Sequence, residues 1–242
     1  KNAQGERVAI KELTVRDDDQ RWLGEVSSFF KYQGVPNIVR CQHAFFDAQS
    51  QRGNLVFEFC EGGDLLKLLQ SAGRKPFSEP ILRLWATQLL TVLAQTESQQ
   101  LVHQDITLRN IFLCDANWSK GVKLGDFGLA ELAGSYTAPL SKGWSVCRSP
   151  DKVPSPSSDV WSLGCVLHCL ITGIDPDAMD AKEASFVDMK LEDRRQQRRA
   201  AQLAHGFSHE LIALVDAMMQ DSLTDRIRAS HALRCLTEHD PD

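Results

Sequence analysis

Long hydrophobic runs are missing from the sequence, although 43% of its 242 residues are hydrophobic. A membrane-spanning helix needs about 20 mostly apolar residues in a row, so the sequence predicts no membrane partner. An excess of positive charge is also missing, because the formal net charge is −5. This acidic balance argues against nucleic acid as the main partner. The hydrophobic content remains high enough for a folded core and excludes a disordered chain.

Cysteine motifs typical of metal sites or disulfide frameworks are absent as well. The seven cysteines are an odd number, and no C-x-x-C motif occurs. Several lie in apolar runs, where cysteine behaves as a small hydrophobic residue. We therefore predict reduced thiols in a cytoplasmic protein, with the nucleus or the cytoskeleton as alternative locations.

The first 60 residues carry the pattern of a small lobe rich in β structure. A β-prone run at residues 7–11 is followed by apolar residues at helical spacing within 17–33. Strands are predicted at 38–46 and 55–60, with a turn at 47–54 between them. This part of the chain is expected to form a strand, a helix and a hairpin.

The remainder is predicted to be mainly helical. Asp64 suits the N-cap of a helix over 65–70, and a long helix is expected from 79 to about 99. Residues 159–172 are apolar nearly all round, which predicts a buried helix. Before it, residues 128–156 are expected to form a surface loop. The basic run at 194–199 is interpreted as a solvated helix face, with a docking surface as the alternative.

Four short motifs together suit phosphoryl transfer. They are V-A-I-K ending at Lys11, H-Q-D ending at Asp105 with Asn110 after it, D-F-G at 126–128, and S-P-D at 149–151. The reaction needs metal-binding oxygens, a fixed cation on the phosphates and a carboxylate that orients the attacking hydroxyl. Each motif alone is explained by a surface lysine or by turn chemistry. Their order along the chain favours one functional explanation.

This set of motifs resembles the signature of eukaryotic protein kinases, and the resemblance covers about residues 5–236. V-P-N-I-V at 35–39 and S-D-V-W-S-L-G at 158–164 are similar to family segments, and Arg226 matches the family's terminal arginine. C-E-G-G-D-L at 60–65 is most similar to the NIMA-related serine/threonine kinases. The resemblance implies an α+β, two-lobed fold, with residues 1–60 as an incomplete small lobe with an antiparallel sheet and 61–242 as the large lobe.

The resemblance also implies ATP and Mg²⁺ as cofactors and a protein hydroxyl as substrate. Lys11, held by Glu25, would bind the α- and β-phosphates. Asp126 would bind the magnesium that bridges the phosphates, and Asn110 would bind a second metal ion. Asp105 would orient the substrate hydroxyl and accept its proton. The sequence itself indicates no oligomeric state.

The remaining residues that the resemblance assigns to the nucleotide site are Ala9, Phe57, Glu58, Cys60, Asp64 and Phe112. Ala9 and Phe112 would sandwich the adenine, and backbone groups of Glu58 and Cys60 would bind its edge. Phe57 would narrow the back of the pocket.

The family also implies an internal scaffold behind the site. An apolar stack is expected to run through Cys41, Phe29, Phe127 and His103. Asp159 would brace the catalytic loop, or cap its own helix, or do both.

Departures from the family pattern keep a second interpretation open. No G-x-G-x-x-G occurs among the fifteen glycines. The resemblance places that loop just before Lys1, so we expect a chain truncated there, and the alternative is a protein that never had the loop. Gln104 replaces an arginine that docks a phosphorylated activation loop, and a neutral amide cannot form that charge-assisted pair. We therefore expect no control through the loop's surface hydroxyls, which are Ser135, Tyr136, Thr137, Ser141 and Ser145.

Three further differences lie closer to the chemistry. Thr107 replaces a lysine that neutralises the transferring phosphoryl group, with Arg109 either a partial substitute or directed to solvent. Trp144 replaces a threonine that braces the catalytic aspartate. Asp151 replaces a glutamate, so strain is expected in its pairing with Arg226. The hypotheses are an active serine/threonine kinase, a pseudokinase that binds nucleotide or serves as a scaffold, and a small-molecule kinase, which the large-lobe motifs argue against.

The assignment of Glu25 generates a direct prediction. We expect Glu25→Gln to lower the rate of phosphate transfer, because a neutral amide holds the Lys11 ammonium less firmly than a carboxylate does. Steady-state kinetics with ATP and a generic protein substrate measure this. An unchanged rate would show that another acidic residue holds Lys11, and Glu12 is the nearby alternative.

Overall fold

A computed structural model describes residues 5–14, 24, 26, 27, 29, 31, 32, 34–118, 120–133, 147–151, 153–176 and 189–238. The chain begins with a three-stranded antiparallel sheet in the order β1-β3-β2. Its strands are β1 (Val8–Thr14), β2 (Cys41–Asp47) and β3 (Arg52–Glu58). Between β1 and β2, the described residues from 24 to 32 are helical.

Six helices of the described ranges follow the sheet. They are α1 (Leu65–Ser71), α2 (Glu79–Ser98), α3 (Pro156–Thr172), α4 (Leu191–His205), α5 (His209–Met218) and α6 (Ala229–Thr237). The predicted α+β class with a small sheet lobe and a larger helical lobe is confirmed. None of the helices within these ranges is long and apolar enough to cross a membrane.

Four short strands lie between α2 and residue 133. They are β4 (Leu101–Val102), β5 (Ile111–Leu113), β6 (Val122–Leu124) and β7 (Glu131–Leu132). β5 pairs with β6, and β4 pairs with β7. β4 precedes H-Q-D and β5 follows Asn110, whereas β6 precedes D-F-G and β7 follows it. Each strand pair therefore holds the D-F-G segment beside the segment that carries Asp105 and Asn110.

The predicted helix caps and boundaries are mostly confirmed. Asp64 caps α1, where its Oδ1 accepts a hydrogen bond from Lys67 N at 2.9 Å. The buried helix α3 begins at Pro156, three residues before the predicted start, because Ser155 and Ser158 form a capping box there. Asp159 therefore lies inside the first turn and is not the N-cap. All seven cysteines are free thiols.

Helix α3 is the centre of the large lobe, and 14 of its residues are buried. Gly164 lets a neighbouring helix approach, because a Cβ there would lie 2.7 Å from Met219 Cγ. The prediction that residues 128–156 form a surface loop is wrong in part. This range contains β7, and both Cys147 and Ser149 are buried.

The prediction of a solvated face for the basic run on α4 is wrong for two of its four arginines, whereas Arg199 is exposed. The side chains of Arg194 and Arg198 are fully buried. Arg198 Nε donates to Asp216 Oδ1 at 2.7 Å, and Arg194 Nη2 donates to Asp221 Oδ1 at 2.5 Å. Burial and the neighbouring guanidinium of Arg198 lower the pKa of His168 to about 3, so this ring is neutral and accepts from Arg198. The buried arginines tie α4 to the core.

The predicted pairing of Asp151 with Arg226 is confirmed, and it is bidentate. Both nitrogens Nη1 and Nη2 of Arg226 donate to the carboxylate, at 2.6 and 3.0 Å. Ser158 Oγ donates to Asp151 Oδ2 at 2.9 Å, and Ser149 donates to the same oxygen. Burial alone would raise the pKa of Asp151, but these donors outweigh burial and lower it.

We predict that Asp151→Asn lowers the free energy of unfolding by about 3 kcal/mol, because Arg226 then keeps a buried charge without its carboxylate. Urea unfolding at neutral pH measures the loss. Asp225→Asn, at an exposed neighbouring position, should change stability by less than about 0.5 kcal/mol. Because the pKa of Asp151 is lowered in the folded state, its stabilisation is lost as the pH falls through that value, and the gap between variant and wild type should close on acidification. Equal effects of the two substitutions would contradict this account.

Candidate active site

Lys11 and Asp126 join the two lobes at the centre of the candidate site. Lys11 lies in β1 opposite Leu55, and its Nζ is 2.7 Å from Asp126 Oδ1. Asp126 has a positive φ of 58°, a conformation that aspartate tolerates better than most residues. Its Oδ1 also accepts from Gly128 N at 3.3 Å. The V-A-I-K and D-F-G motifs therefore meet in space, although 115 positions separate them.

Asp105 and Asn110 form the second half of the site. Asn110 Nδ2 donates to Asp105 Oδ2 at 2.7 Å and to the Asp105 carbonyl at 2.9 Å. Gly125 N donates to the Asn110 carbonyl at 2.8 Å, which places this loop against the residue before Asp126. Asp126 is also close enough to act on the pKa of Asp105. The structure thus brings Lys11, Asp105, Asn110 and Asp126 together.

The electrostatics of Asp105 suit a proton acceptor. Burial is the main cause that raises the pKa of this carboxylate, and the negative charge of Asp126 raises it further. The hydrogen bond from Asn110 and the charge of Arg148 act in the opposite direction. A carboxylate with a raised pKa holds a proton better than an ordinary exposed aspartate does.

The catalytic loop is held from beneath by Asp159, and the predicted brace is confirmed. Asp159 Oδ2 accepts from His103 N at 2.6 Å, and Oδ1 accepts from Gln104 N at 2.9 Å. Burial raises the pKa of Asp159 to about 7, against the effect of these two donors. The carboxylate is only 2% exposed, so its partners within the loop are fixed.

His103 is neutral and has a defined tautomer. Its Nε2 lies 3.1 Å from the carbonyl of Gly125, which can only accept, so Nε2 carries the proton. Nδ1 then accepts from Asp105 N at 3.3 Å. Burial lowers the pKa of His103 to about 4, in agreement with a neutral ring.

The predicted internal stack is present for Phe29, Phe127 and His103, and Phe57 extends it. Phe127 contacts His103 and Phe29, with ring centroids 4.7 and 5.6 Å apart. Phe29 continues to Phe57 at 4.8 Å. Cys41 packs against the buried core that contains Phe29, and both residues line a cavity of about 310 Å³.

The residues predicted to line the nucleotide site lie along one edge between the lobes. Ala9 is exposed on β1 opposite Phe57, which is buried on β3. Phe112 is half-buried on β5 and bridges to Asp64. Their contacts with adenine remain a prediction.

Two of the nucleotide-site side chains are already occupied by the protein. Lys123 Nζ donates to both carboxylate oxygens of Glu58 at 2.7 Å, which leaves only its backbone for a ligand. Asp64 Oδ2 lies 2.9 Å from Lys67 Nζ, and Oδ1 caps α1. Burial raises the pKa of Cys60 to about 11, so its thiol stays protonated.

The side chains of Asn110 and Asp126 fit the oxygen ligands that Mg²⁺ prefers. Asn110 uses its amide nitrogen toward Asp105, which turns its amide oxygen away from that residue. The Lys11 ammonium contacts the Asp126 carboxylate, so this carboxylate already binds one cation. In the part of the chain that the structure describes, no cluster of three or more His, Cys, Asp or Glu suits a metal ion. A site made of one asparagine and one aspartate does not count as such a cluster.

Several predicted positions lie outside the described residues. They are Glu25, Trp144 and the hydroxyls between Ser135 and Ser145. Glu12, the alternative partner of Lys11, pairs with Arg52 on the neighbouring strand. Arg109 is exposed, which agrees with the alternative that its side chain is directed to solvent.

Sequence reasoning missed two residues that shape the site. Tyr32 is buried with its ring 4.4 Å from Phe127, so it adds a side branch to the stack. A tyrosine at the end of a helical pattern gives no signal for this contact. Gln104 Nε2 donates to the Leu129 carbonyl at 2.7 Å, and only the absence of a charge at this position marked it in the sequence.

Comparison with protein families finds the same assignment. A family model described as the protein kinase domain matches residues 1–236. The match includes both lobes and all four candidate motifs.

Similar proteins include several kinases named Nek. Serine/threonine-protein kinase Nek5 of Homo sapiens is 33% identical over 201 residues, which are 79% of this chain and 26% of that protein. Nek5 of Mus musculus is 28% identical over 242 residues, covering 96% of this chain and 36% of that protein. Nek1 of Mus musculus is 35% identical over 180 residues, or 69% of this chain and 14% of that protein. The chain thus spans about a third or less of these relatives, and the predicted resemblance to NIMA-related kinases is confirmed.

We predict that Phe29→Ala lowers the free energy of unfolding by about 3–5 kcal/mol, because it empties the middle of the aromatic stack. Phe45→Ala is the matched control, since Phe45 is 51% exposed on β2. It should cost less than about 1 kcal/mol. Chemical denaturation followed by tryptophan fluorescence measures both. Similar losses for the two variants would show that Phe29 does not join the lobes.

Proposed function

Because the chain belongs to the protein kinase domain family, we propose that it transfers the γ-phosphate of ATP to a serine or threonine hydroxyl of a protein. One observation carries this proposal. A lysine from the sheet lobe lies 2.7 Å from an aspartate of the helical lobe, next to a second aspartate whose carboxylate an asparagine holds at 2.7 Å. Phosphoryl transfer requires this combination of one cation, metal-binding oxygens and one proton acceptor.

Each of these residues has one task in the proposed reaction. Lys11 exchanges its contact with Asp126 for the α- and β-phosphates when ATP enters. Asp126 and Asn110 would hold Mg²⁺, which would supply positive charge against the triphosphate. Asp105 orients the substrate hydroxyl and accepts its proton, and Asn110 keeps that carboxylate in place. Glu25 is proposed to align Lys11.

The adenine is proposed to lie between Ala9 and Phe112, with its edge on the backbone of Glu58 and Cys60. Ala9 presents little side-chain bulk on β1, and Phe112 offers an apolar ring from β5. Phe57 closes the back of this pocket through its contact with Phe29. Asp64 is assigned to the ribose side, where it borders Phe112.

A serine or threonine acceptor is favoured by the names of the relatives, which are serine/threonine-protein kinases. We propose a cytoplasmic location, with the nucleus or cytoskeleton as alternatives, and partners limited to ATP and a protein substrate. Residues 1–60 and 61–242 are proposed to act as the two lobes of one catalytic domain.

A pseudokinase is the second candidate, and Thr107 is the observation that favours it. This residue occupies the catalytic loop, where its carbonyl accepts from Asn110 N at 3.1 Å, and its side chain carries no positive charge for the transferring phosphoryl group. Loss of one such interaction typically lowers a rate by about 10²–10³-fold. A domain that binds nucleotide without transferring phosphate would fit this change.

Phosphate transfer from labelled ATP to a generic protein substrate separates the two candidates. We predict measurable transfer that Asp126→Asn and Asp105→Asn each reduce by at least about 10²-fold. Asp193→Asn, at an exposed position of α4, should leave the rate unchanged. ATP-dependent thermal stabilisation without transfer would establish the pseudokinase. The absence of both stabilisation and transfer would overturn the kinase and leave only a pseudokinase that serves as a scaffold.

A further inference from the structure

Gln104 connects the catalytic loop to the segment that follows D-F-G. Its Nε2 donates to the carbonyl of Leu129 at 2.7 Å, a short distance for a neutral amide. This hydrogen bond joins a side chain of the loop that carries Asp105 to residues 128–133. The contact therefore has a defined structural position that the sequence did not predict.

The backbone of Gln104 is fixed, so its side chain leaves from a defined point. Its N–H donates to the buried Asp159 at 2.9 Å. Its φ is +67°, in the left-handed region that non-glycine residues seldom adopt. Because tertiary contacts hold this conformation, little freedom remains to be lost when the side-chain amide binds Leu129.

The segment that Gln104 holds is the one that positions Asp126. Gly128 N donates to Asp126 Oδ1 at 3.3 Å, and Ala130 N donates to the Phe127 carbonyl at 3.1 Å. Beyond Leu129, β7 pairs with β4, and Ala133 N donates to the Gln100 carbonyl at 2.7 Å. Gln104 thus contacts this segment at Leu129, between Asp126 and β7.

We propose that Gln104 is a positioning residue, whose amide orders residues 128–133 and through them Asp126 without a phosphate on the activation segment. A carbonyl needs only a donor, and a neutral amide supplies one. The same amide offers no charge to a phosphate. The effect on rate rests on the proposed kinase function, whereas the ordering of the segment can be measured independently of catalysis.

Hydrogen exchange of the backbone amides of residues 130–133 tests the ordering directly. Gln104→Met and Gln104→Glu remove the donor at nearly constant size, and we expect about 2- to 12-fold faster exchange, the range for one lost hydrogen bond. Gln104→Arg retains a donor and should exchange like the wild type. Gln99→Glu, at an exposed position, adds the same charge as a control and should have no effect.

Kinetics of the same variants test the consequence. We expect Gln104→Met to lower kcat by about the same factor as it speeds exchange, with little change in the KM for the protein substrate. Gln104→Arg should have a kcat like that of the wild type. Phosphatase treatment should leave the wild-type rate unchanged. Unaltered exchange in both donor-free variants, or a wild-type rate abolished by phosphatase, would overturn the proposal. If the wild type transfers no phosphate, the kinase assignment fails, and the exchange data alone then decide the role of Gln104.

Discussion

The buried carboxylate of Asp159 is the constraint on which the candidate site depends. Burying a carboxylate is unfavourable unless hydrogen bonds satisfy it, and here two consecutive backbone N–H groups of the catalytic loop do so. Helix α3, almost entirely buried, fixes the carboxylate in the core. The loop that carries Asp105 therefore takes its position from a helix in which 14 residues are buried.

His103 and Gln104 extend the same constraint to Asp126. His103 binds the Gly125 carbonyl and contacts Phe127, while Gln104 binds the Leu129 carbonyl. These contacts lie on either side of Asp126. One carboxylate in the core thus aligns both acidic residues of the site, which explains how residues 21 positions apart keep a fixed relation.

The two lobes are joined to each other by an ion pair and by aromatic contacts. The Lys11–Asp126 pair is about one third exposed on each side, and such ion pairs contribute about 0–1 kcal/mol. The aromatic contacts among Phe57, Phe29 and Phe127 are buried and are not weakened by solvent screening. The stack therefore provides the mechanical connection, whereas the ion pair is weak enough for Lys11 to exchange Asp126 for a phosphate, as the proposed function requires.

Much of this arrangement could be predicted from local signals. Alternating or continuous apolar runs located β3 and α3, the capping aspartate located α1, and four ordered motifs located the site. Contacts that depend on tertiary burial gave no such signal. A run of arginines predicts a solvated face, yet Arg194 and Arg198 are buried because aspartates from α5 and the turn after it reach them. The donor from Gln104 to Leu129 likewise depends on a backbone conformation that only the fold imposes.

Calorimetric binding of ATP, with and without Mg²⁺, is the most direct measurement of the central claim that Asp126 and Lys11 share one nucleotide site. Wild-type protein should bind ATP more tightly when Mg²⁺ is present, and Asp126→Asn should lose that enhancement while Lys11 still attracts the phosphates. An ATP affinity that is independent of Mg²⁺ in the wild type, or a Mg²⁺ enhancement that survives Asp126→Asn, would contradict the account.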